Sequence, residues 1–186
     1  MSDNPRPKNP KLFDESGEPR VVYRGISEQK KDAPTKKPSP NHMMFGEGVY
    51  FALKPDRSAS YGNVGTYKLY IDNPMEFYSK TTDAELSRWV DSMNQNGVDS
   101  GEVISAIRAK EPFLTNGAIY SALGGSKFWG KDVSIEQLRK AKSIAIGAGF
   151  DSVLVSQGSS GKARLNDEVV VFDQSKIEKI GDLNDR

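Results

Sequence analysis

The stretch that decides the fold reads Met44-Phe-Gly-Glu-Gly-Val-Tyr-Phe-Ala52, a glycine-rich turn that runs into a β-prone segment. Glycine permits positive φ angles and close backbone approach, and the apolar residues after it favour a strand. Pro55 follows shortly and suits the first turn of a helix that extends to Tyr61. Turn, strand and helix in this order indicate a mixed α and β chain.

Four other segments have the β-branched and aromatic composition that favours strands. They cover residues 20–24, 66–71, 152–155 and 168–172. The consecutive valines of the last segment are typical of a buried strand. The strand over 66–71 is expected to end at Asn73-Pro74.

The middle of the chain has the pattern of helices. Thr82-Asp-Ala-Glu85 and Ser134-Ile-Glu-Gln137 match the capping box, in which two side chains exchange hydrogen bonds with the first free backbone N–H groups. Apolar residues at helical spacing occur over 102–109 and 118–123. We expect about three to five short helices here, forming a helical insertion over residues 80–147.

Charge and composition exclude several classes of function. The 26 basic and 25 acidic side chains give a formal net charge of +1, so the chain lacks the bulk field that drives unspecific binding to nucleic acids or membranes. It contains no Cys and one His, which excludes a disulfide framework and a thiolate metal site. We expect chemistry without a metal and no membrane partner.

The length of 186 residues suits one domain. Residues 1–18 are polar and contain proline without any period, which predicts a flexible leader before a single domain over 19–186. No apolar run has the length of a signal peptide or a membrane span. We expect a cytoplasmic protein, and delivery into a target or host cell is compatible with the same sequence.

Polar residues that can carry chemistry stand beside glycines at the edges of the predicted strands. Arg24 precedes Gly25, Tyr50 follows the glycines of the turn, and Glu168 begins the last strand. This distribution is typical of a functional site. The alternative is that the glycines only form turns, that Tyr50 packs in the core and that Glu168 is solvated.

Three stretches together resemble a known family. The segment over 44–52, followed by Arg57-Ser-Ala-Ser-Tyr61, resembles the signature of the catalytic domain of the poly(ADP-ribose) polymerases and the related diphtheria-toxin-like ADP-ribosyltransferases. Tyr23-Arg-Gly25 stands where the family has Tyr-His-Gly or similar, and the segment over 166–173 resembles its last catalytic strand. The resemblance implies an α+β fold of split antiparallel β-sheets around an NAD⁺ cleft.

The resemblance also implies a role for each matching residue. Gly25 would offer its backbone to the nicotinamide carboxamide, and Ser58 would hydrogen-bond the same group. Tyr50 and Tyr61 would hold the nicotinamide ring between them. Glu168 would accept a hydrogen bond from the ribose 2-hydroxyl and stabilise the oxocarbenium-like charge that develops as the nicotinamide bond lengthens.

Arg24 stands where the family usually has histidine, so the implied catalytic set is Arg24, Tyr50 and Glu168. An arginine there can still hydrogen-bond a ribose hydroxyl, and it can add a bidentate contact to the pyrophosphate. We therefore expect NAD⁺ binding with altered geometry.

The loop before Glu168 is where relatives place their target. Lys162 and Arg164 can meet an anionic acceptor, although a charged loop is more often only solvated. Asn166 occupies the position where arginine-modifying relatives carry a second glutamate, and Asp167 follows it. This argues against arginine as the acceptor.

The resulting hypothesis is a mono-ADP-ribosyltransferase that uses NAD⁺ as co-substrate and a protein or nucleic acid as acceptor. The resemblance is compatible with a bacterial or phage toxin or effector, which an antitoxin or immunity protein would accompany. Two alternatives remain open. One is an NAD⁺ glycohydrolase with water as acceptor, and the other is a non-catalytic module that binds NAD⁺ or ADP-ribose.

Overall fold

The computed structural model describes residues 8–26, 44–59, 63–127, 132–157, 162–164 and 166–183. These residues form an α+β arrangement of one mixed sheet, one short helix and four longer helices. The strands are β1 (Val22–Ile26), β2 (Val49–Ala52), β3 (Asn63–Leu69), β4 (Pro74–Glu76), β5 (Ser152–Val155), β6 (Glu168–Val171) and β7 (Ile177–Asp182). The helices are α1 (Pro55–Ala59), α2 (Asp83–Gln95), α3 (Ser100–Arg108), α4 (Asn116–Ala122) and α5 (Ile135–Gly147).

The seven strands lie in the order β4-β5-β6-β2-β1-β3-β7. Neighbouring strands are antiparallel except β4 and β5, which run parallel. The expectation of split, purely antiparallel sheets is therefore wrong, because the described strands form one mixed sheet with a parallel pair at its edge. A long connection that contains α2 to α5 separates β4 from β5, which is the kind of crossover that a parallel pair requires.

Five strands lie where the sequence predicts them, with ends that differ by a few residues: β1, β2, β3, β5 and β6. The sequence misses the two edge strands. β4 begins at Pro74, which was expected only to end a strand, and a proline at the first position of an edge strand costs no ladder hydrogen bond. β7 carries charged side chains, as edge strands often do to prevent pairing with another chain. Its apolar and polar residues therefore do not alternate in the pattern that predicts a strand.

Both predicted capping boxes are confirmed. The Thr82 hydroxyl accepts from the Glu85 backbone while the Glu85 carboxylate accepts from the Thr82 backbone, and Ser134 and Gln137 make the same exchange. Four helices occupy residues 83–147 of the described chain, within the predicted helical region. None of the described helices has the length and apolar character that crossing a membrane would require.

The sheet separates two hydrophobic clusters. On its helix-covered face the cluster includes Trp89 and Val170, and on its opposite face it includes Phe51, Val169 and Val171. The three valines of β6 divide between the clusters because successive side chains of a strand point to opposite faces. Both faces of β6 are therefore buried, as its composition predicts.

Residues 8–18 of the predicted leader pack against the sheet instead of fraying. Leu12 and Phe13 are each 3% exposed and belong to the cluster on the opposite face. The Lys11 ammonium is also buried, where it pairs with the carboxylate of Asp167. Two apolar side chains within a polar, proline-containing stretch are a weak sequence signal for this packing. Residues 1–7 lie outside the described residues.

Candidate functional site

The seam between β1 and β2, where these two neighbouring strands meet, has the fewest register partners in the described sheet. Among the described residues, Tyr23 and Ala52 are the only register partners across it. By contrast, β1 has five register partners on β3, and β2 has four on β6. A continued ladder would place Gly25 opposite Tyr50, but the described residues form no register pair there.

Glu168 stands at the start of β6, next to this seam. It is half-buried, and its register partners are Ala52 on β2 and Val155 on β5. Directly opposed residues share a face of the sheet, and so do residues two apart on a strand. Glu168 and Tyr50 therefore project from the same, helix-covered face.

The Tyr50 phenol is fixed by the turn that precedes its strand. It donates to the Gly46 carbonyl at 2.6 Å and accepts from the Phe45 backbone N–H at 3.1 Å. Burial raises the pKa of the Tyr50 phenol well above its ordinary value, and the negative charge of Glu168 raises this pKa further. Glu168 thus lies within electrostatic reach of the phenol, which remains protonated at neutral pH.

The glycines of the turn are required by its geometry. Gly46 has a φ of +101°, and a Cβ there would collide with the Tyr120 hydroxyl. A Cβ on Gly48 would lie 2.6 Å from Cγ1 of Val170, which is too close for real contact. The first glycine allows the turn, and the second brings β2 against β6. The turn therefore sets the distance between the strands that carry Tyr50 and Glu168.

Tyr120 lies against the glycine turn that holds Tyr50, and no sequence motif marks it. Its side chain is fully buried on α4, and its hydroxyl has no hydrogen-bond partner among the described residues. Burial raises the pKa of Tyr120, as does the proximity of Tyr50 and Glu47. One tyrosine among the apolar residues of a helix is indistinguishable in sequence from a core aromatic, so no pattern singles it out.

Arg24 lies on the other side of the seam from Tyr50 and Glu168. Its register partner is Gly65, and its neighbour two residues earlier, Val22, pairs with Tyr67. Burial lowers the pKa of the half-buried Arg24 guanidinium, and the nearby Tyr67 phenol opposes this shift. Arg24 thus shares the opposite face of the sheet with Tyr67, although it is the first residue of β1 beyond the last register pair with β2.

Two predicted ligand-binding residues remain, Ser58 and Tyr61, and the structure describes only Ser58. Ser58 is 4% exposed on α1, which packs against β1, β2 and β3 and so lies beside the seam. Tyr61, the second predicted aromatic partner for the ring, lies outside the described residues. Among the predicted site residues, Gly25 and Tyr50 lie on the two strands of the seam, and Glu168 lies on the neighbouring strand β6.

The loop before Glu168 contains both exposed and buried residues. Lys162, Arg164 and Asn166 are exposed. Asp167 is 3% exposed, and its carboxylate accepts from the Lys11 ammonium at 3.1 Å and from the Arg164 backbone N–H at 2.8 Å. Unlike its exposed neighbours on the loop, this carboxylate is therefore enclosed in a buried ion pair.

Within the described part of the chain, no group of three or more His, Asp or Glu side chains is arranged to hold a metal ion. The Asp167 carboxylate is instead engaged with the Lys11 ammonium and the Arg164 backbone N–H.

Comparison with known proteins gives little. No family model matches this chain, and no curated protein matches it. A solved structure described as the crystal structure of an anti-CRISPR protein is similar at 16% identity and a TM-score of 0.41, covering 87% of this chain and 95% of that one. At that TM-score the likeness does not bear on fold or function.

Gly46→Ala is expected to destabilise the protein by about 2–4 kcal/mol, because it adds a collision with Tyr120 to the strain of a positive φ. Gly97→Ala is the matched control, since Gly97 also has a positive φ but has open space around it. Urea denaturation should show that the free energy of unfolding of the control falls by about 1 kcal/mol, as expected for the strain of a positive φ alone. Equal losses of unfolding free energy in the two variants would contradict the proposed collision between a Cβ at position 46 and the Tyr120 hydroxyl.

The buried phenols make stability depend on alkaline pH. Because burial raises the pKa of Tyr50 and Tyr120 in the folded chain, the unfolded chain loses these protons first. The stability present below about pH 10, the ordinary pKa of tyrosine, is then lost as the pH rises. Tyr120→Phe should reduce the slope of unfolding free energy against pH above that point.

At neutral pH, Tyr120→Phe should leave stability unchanged or raise it, because a buried hydroxyl without a partner is costly. Urea denaturation at neutral and at alkaline pH measures both effects. A variant that loses stability at neutral pH and keeps the wild-type slope would show that the hydroxyl has a partner and does not titrate as described.

Proposed function

We propose that this protein binds NAD⁺ where β1 and β2 part and transfers its ADP-ribosyl group to an acceptor, with Glu168 as the catalytic carboxylate. The observation that carries the proposal is the shared placement of Glu168 and Tyr50. Both project from one face of the sheet, beside a seam whose ladder ends after a single register pair. The resemblance of their sequence segments to the ADP-ribosyltransferase signature agrees with this placement.

The nicotinamide end of NAD⁺ needs an aromatic surface and a backbone that can pair with a carboxamide. Gly25 lies at the opening without a register partner on β2, so on that side its peptide group can meet the carboxamide without a Cβ in the way. The Tyr50 ring is held by its own hydroxyl, which makes it a rigid stacking surface. Ser58, beside the seam on α1, is the proposed second partner of the carboxamide.

The chemical step requires the ribose–nicotinamide C–N bond to break with its electron pair leaving on nicotinamide. The ribose then becomes oxocarbenium-like. The Glu168 carboxylate binds the ribose 2-hydroxyl and stabilises the positive charge where it develops. The acceptor attacks the same carbon, forms the new bond to the ribose and releases its proton to water, which completes the transfer.

Arg24 has a different proposed role from the histidine it replaces. It lies on the opposite face with Tyr67, immediately past the last register pair of β1. A guanidinium in that place is suited to the NAD⁺ pyrophosphate, which extends away from the nicotinamide ring. Arg24 then contributes to binding NAD⁺ more than to the bond-breaking step.

The acceptor in this proposal is a macromolecule, either a protein or a nucleic acid. Lys162, Arg164 and Asn166 are exposed on the loop that leads into Glu168, so an acceptor that contacts them comes close to the reacting carbon. The resemblance of the sequence to the diphtheria-toxin-like ADP-ribosyltransferases is compatible with a bacterial or phage effector of this kind.

Glu168→Gln is expected to lower nicotinamide release from NAD⁺ by about 10²–10³, because it removes a charge aimed at the transition state while keeping the size of the side chain. Glu178→Gln is the matched control, since Glu178 is exposed on the edge strand β7. The assay uses NAD⁺ labelled in its adenine ring and incubated with cell extract. Nicotinamide release and labelled macromolecules are measured together.

Label on a protein or nucleic acid that depends on Glu168 supports transfer. Free ADP-ribose without labelled macromolecules would instead show an NAD⁺ glycohydrolase. Binding of NAD⁺ without nicotinamide release would show a binding module. Equal rates for wild-type protein and Glu168→Gln would contradict the catalytic assignment.

A further inference from the structure

The ion pair between Lys11 and Asp167 joins two parts of the chain that are far apart in sequence. Its Nζ–Oδ2 distance is 3.1 Å, and both side chains are 4% exposed. The Lys11 ammonium also donates to the Ser156 hydroxyl. Removing one partner of such a pair leaves an uncompensated buried charge, which is strongly destabilising, whereas removing both charges is often tolerated.

The position of this ion pair relates it to Glu168. Asp167 directly precedes Glu168, and Ser156 directly follows Val155, the register partner of Glu168 on β5. A single ammonium therefore joins the end of β5 to the start of β6. Since successive side chains alternate, Asp167 and Lys11 lie behind Glu168, on the face with Leu12 and Phe13.

Asp167 also fixes the backbone on both of its sides. Its carbonyl accepts from the Leu53 backbone N–H at 3.0 Å, which extends the pairing of β2 with β6. Its own N–H donates to the Arg164 carbonyl at 3.1 Å, while its carboxylate accepts from the Arg164 N–H at 2.8 Å. The backbone position of Arg164 and the start of β6 thus depend on one carboxylate, and Lys11 neutralises that carboxylate.

We propose that Lys11 is a positioning residue for the site, through which the N-terminal segment sets the place of Glu168 and of the acceptor loop. This inference rests on the proposed transferase function. Lys11 contacts neither NAD⁺ nor the reacting atoms in this assignment. It acts through Asp167, while Tyr50 is held separately by the glycine turn.

Lys11→Met keeps the length of the side chain and removes its charge. Its kcat for nicotinamide release is expected to fall about tenfold to a hundredfold, as for a catalytic group displaced by about 1 Å. The KM for NAD⁺ is expected to stay within about twofold of the wild-type value, because the Tyr50 contacts are untouched. Lys11→Met with Asp167→Asn should recover part of the loss, since no buried charge is left alone.

The control is Lys176→Met, which breaks an ion pair with Asp72 of the same 3.1 Å length whose partners are 31% and 84% exposed. This variant should keep the wild-type kcat and KM. Hydrogen exchange provides a readout that does not depend on activity. In Lys11→Met, the amides of Leu53 and Asp167 should exchange faster, while those of α2 keep their wild-type rates.

The outcomes separate the two proposals. A wild-type protein that releases no nicotinamide would overturn the transferase function, and hydrogen exchange would still decide whether Lys11 positions the start of β6. Unchanged kcat and unchanged exchange in Lys11→Met would overturn the positioning role. Faster exchange throughout the chain, with kcat lowered no more than expected from the unfolded fraction, would also overturn it, because Lys11 would then only stabilise the fold.

Discussion

The early end of the ladder between β1 and β2 is the constraint on which the site depends. Strands that pair along their length leave no room for a ligand between them, whereas strands that part expose backbone groups and open a gap. Here the register pairing of β1 with β2 stops after Tyr23 and Ala52, so Gly25 and Tyr50 are not register partners, although a continued ladder would place them opposite each other. The proposed site therefore depends on interrupted pairing within one sheet.

Several contacts hold β2 and β6 in place beside this seam. Gly48 lets β2 approach β6 closely, and Gly46 shapes the turn that fixes the Tyr50 phenol. Behind β6, a buried ion pair from the N-terminal segment fixes the residue before Glu168. Preorganised groups of this kind are what a charge-stabilising site needs, because they do not have to reorganise during the reaction.

The sequence predicts most of what depends on local patterns. Capping boxes mark the starts of α2 and α5, and runs of β-branched residues mark the central strands. Edge strands are less visible, because β7 is charged and β4 begins with a proline. The glycine turn is also visible in the sequence, because its glycines directly precede the apolar residues of β2.

Contacts between distant segments have no such signal. The partner of Asp167 is Lys11, 156 positions away, and nothing in either local sequence indicates the other. The contact of Tyr120 with Gly46 is equally hidden, since it joins a helix to a turn. The face on which Arg24 lies depends on strand register, which a motif does not specify.

A crystal structure of the protein with a non-hydrolysable NAD⁺ analogue tests the central claim most directly. The nicotinamide ring should lie in the gap between β1 and β2, against the Tyr50 ring, with its carboxamide on the Gly25 backbone. The ribose 2-hydroxyl should lie within hydrogen-bond distance of the Glu168 carboxylate. An analogue bound elsewhere on the protein, with the gap empty and Glu168 in contact with solvent alone, would contradict the assignment.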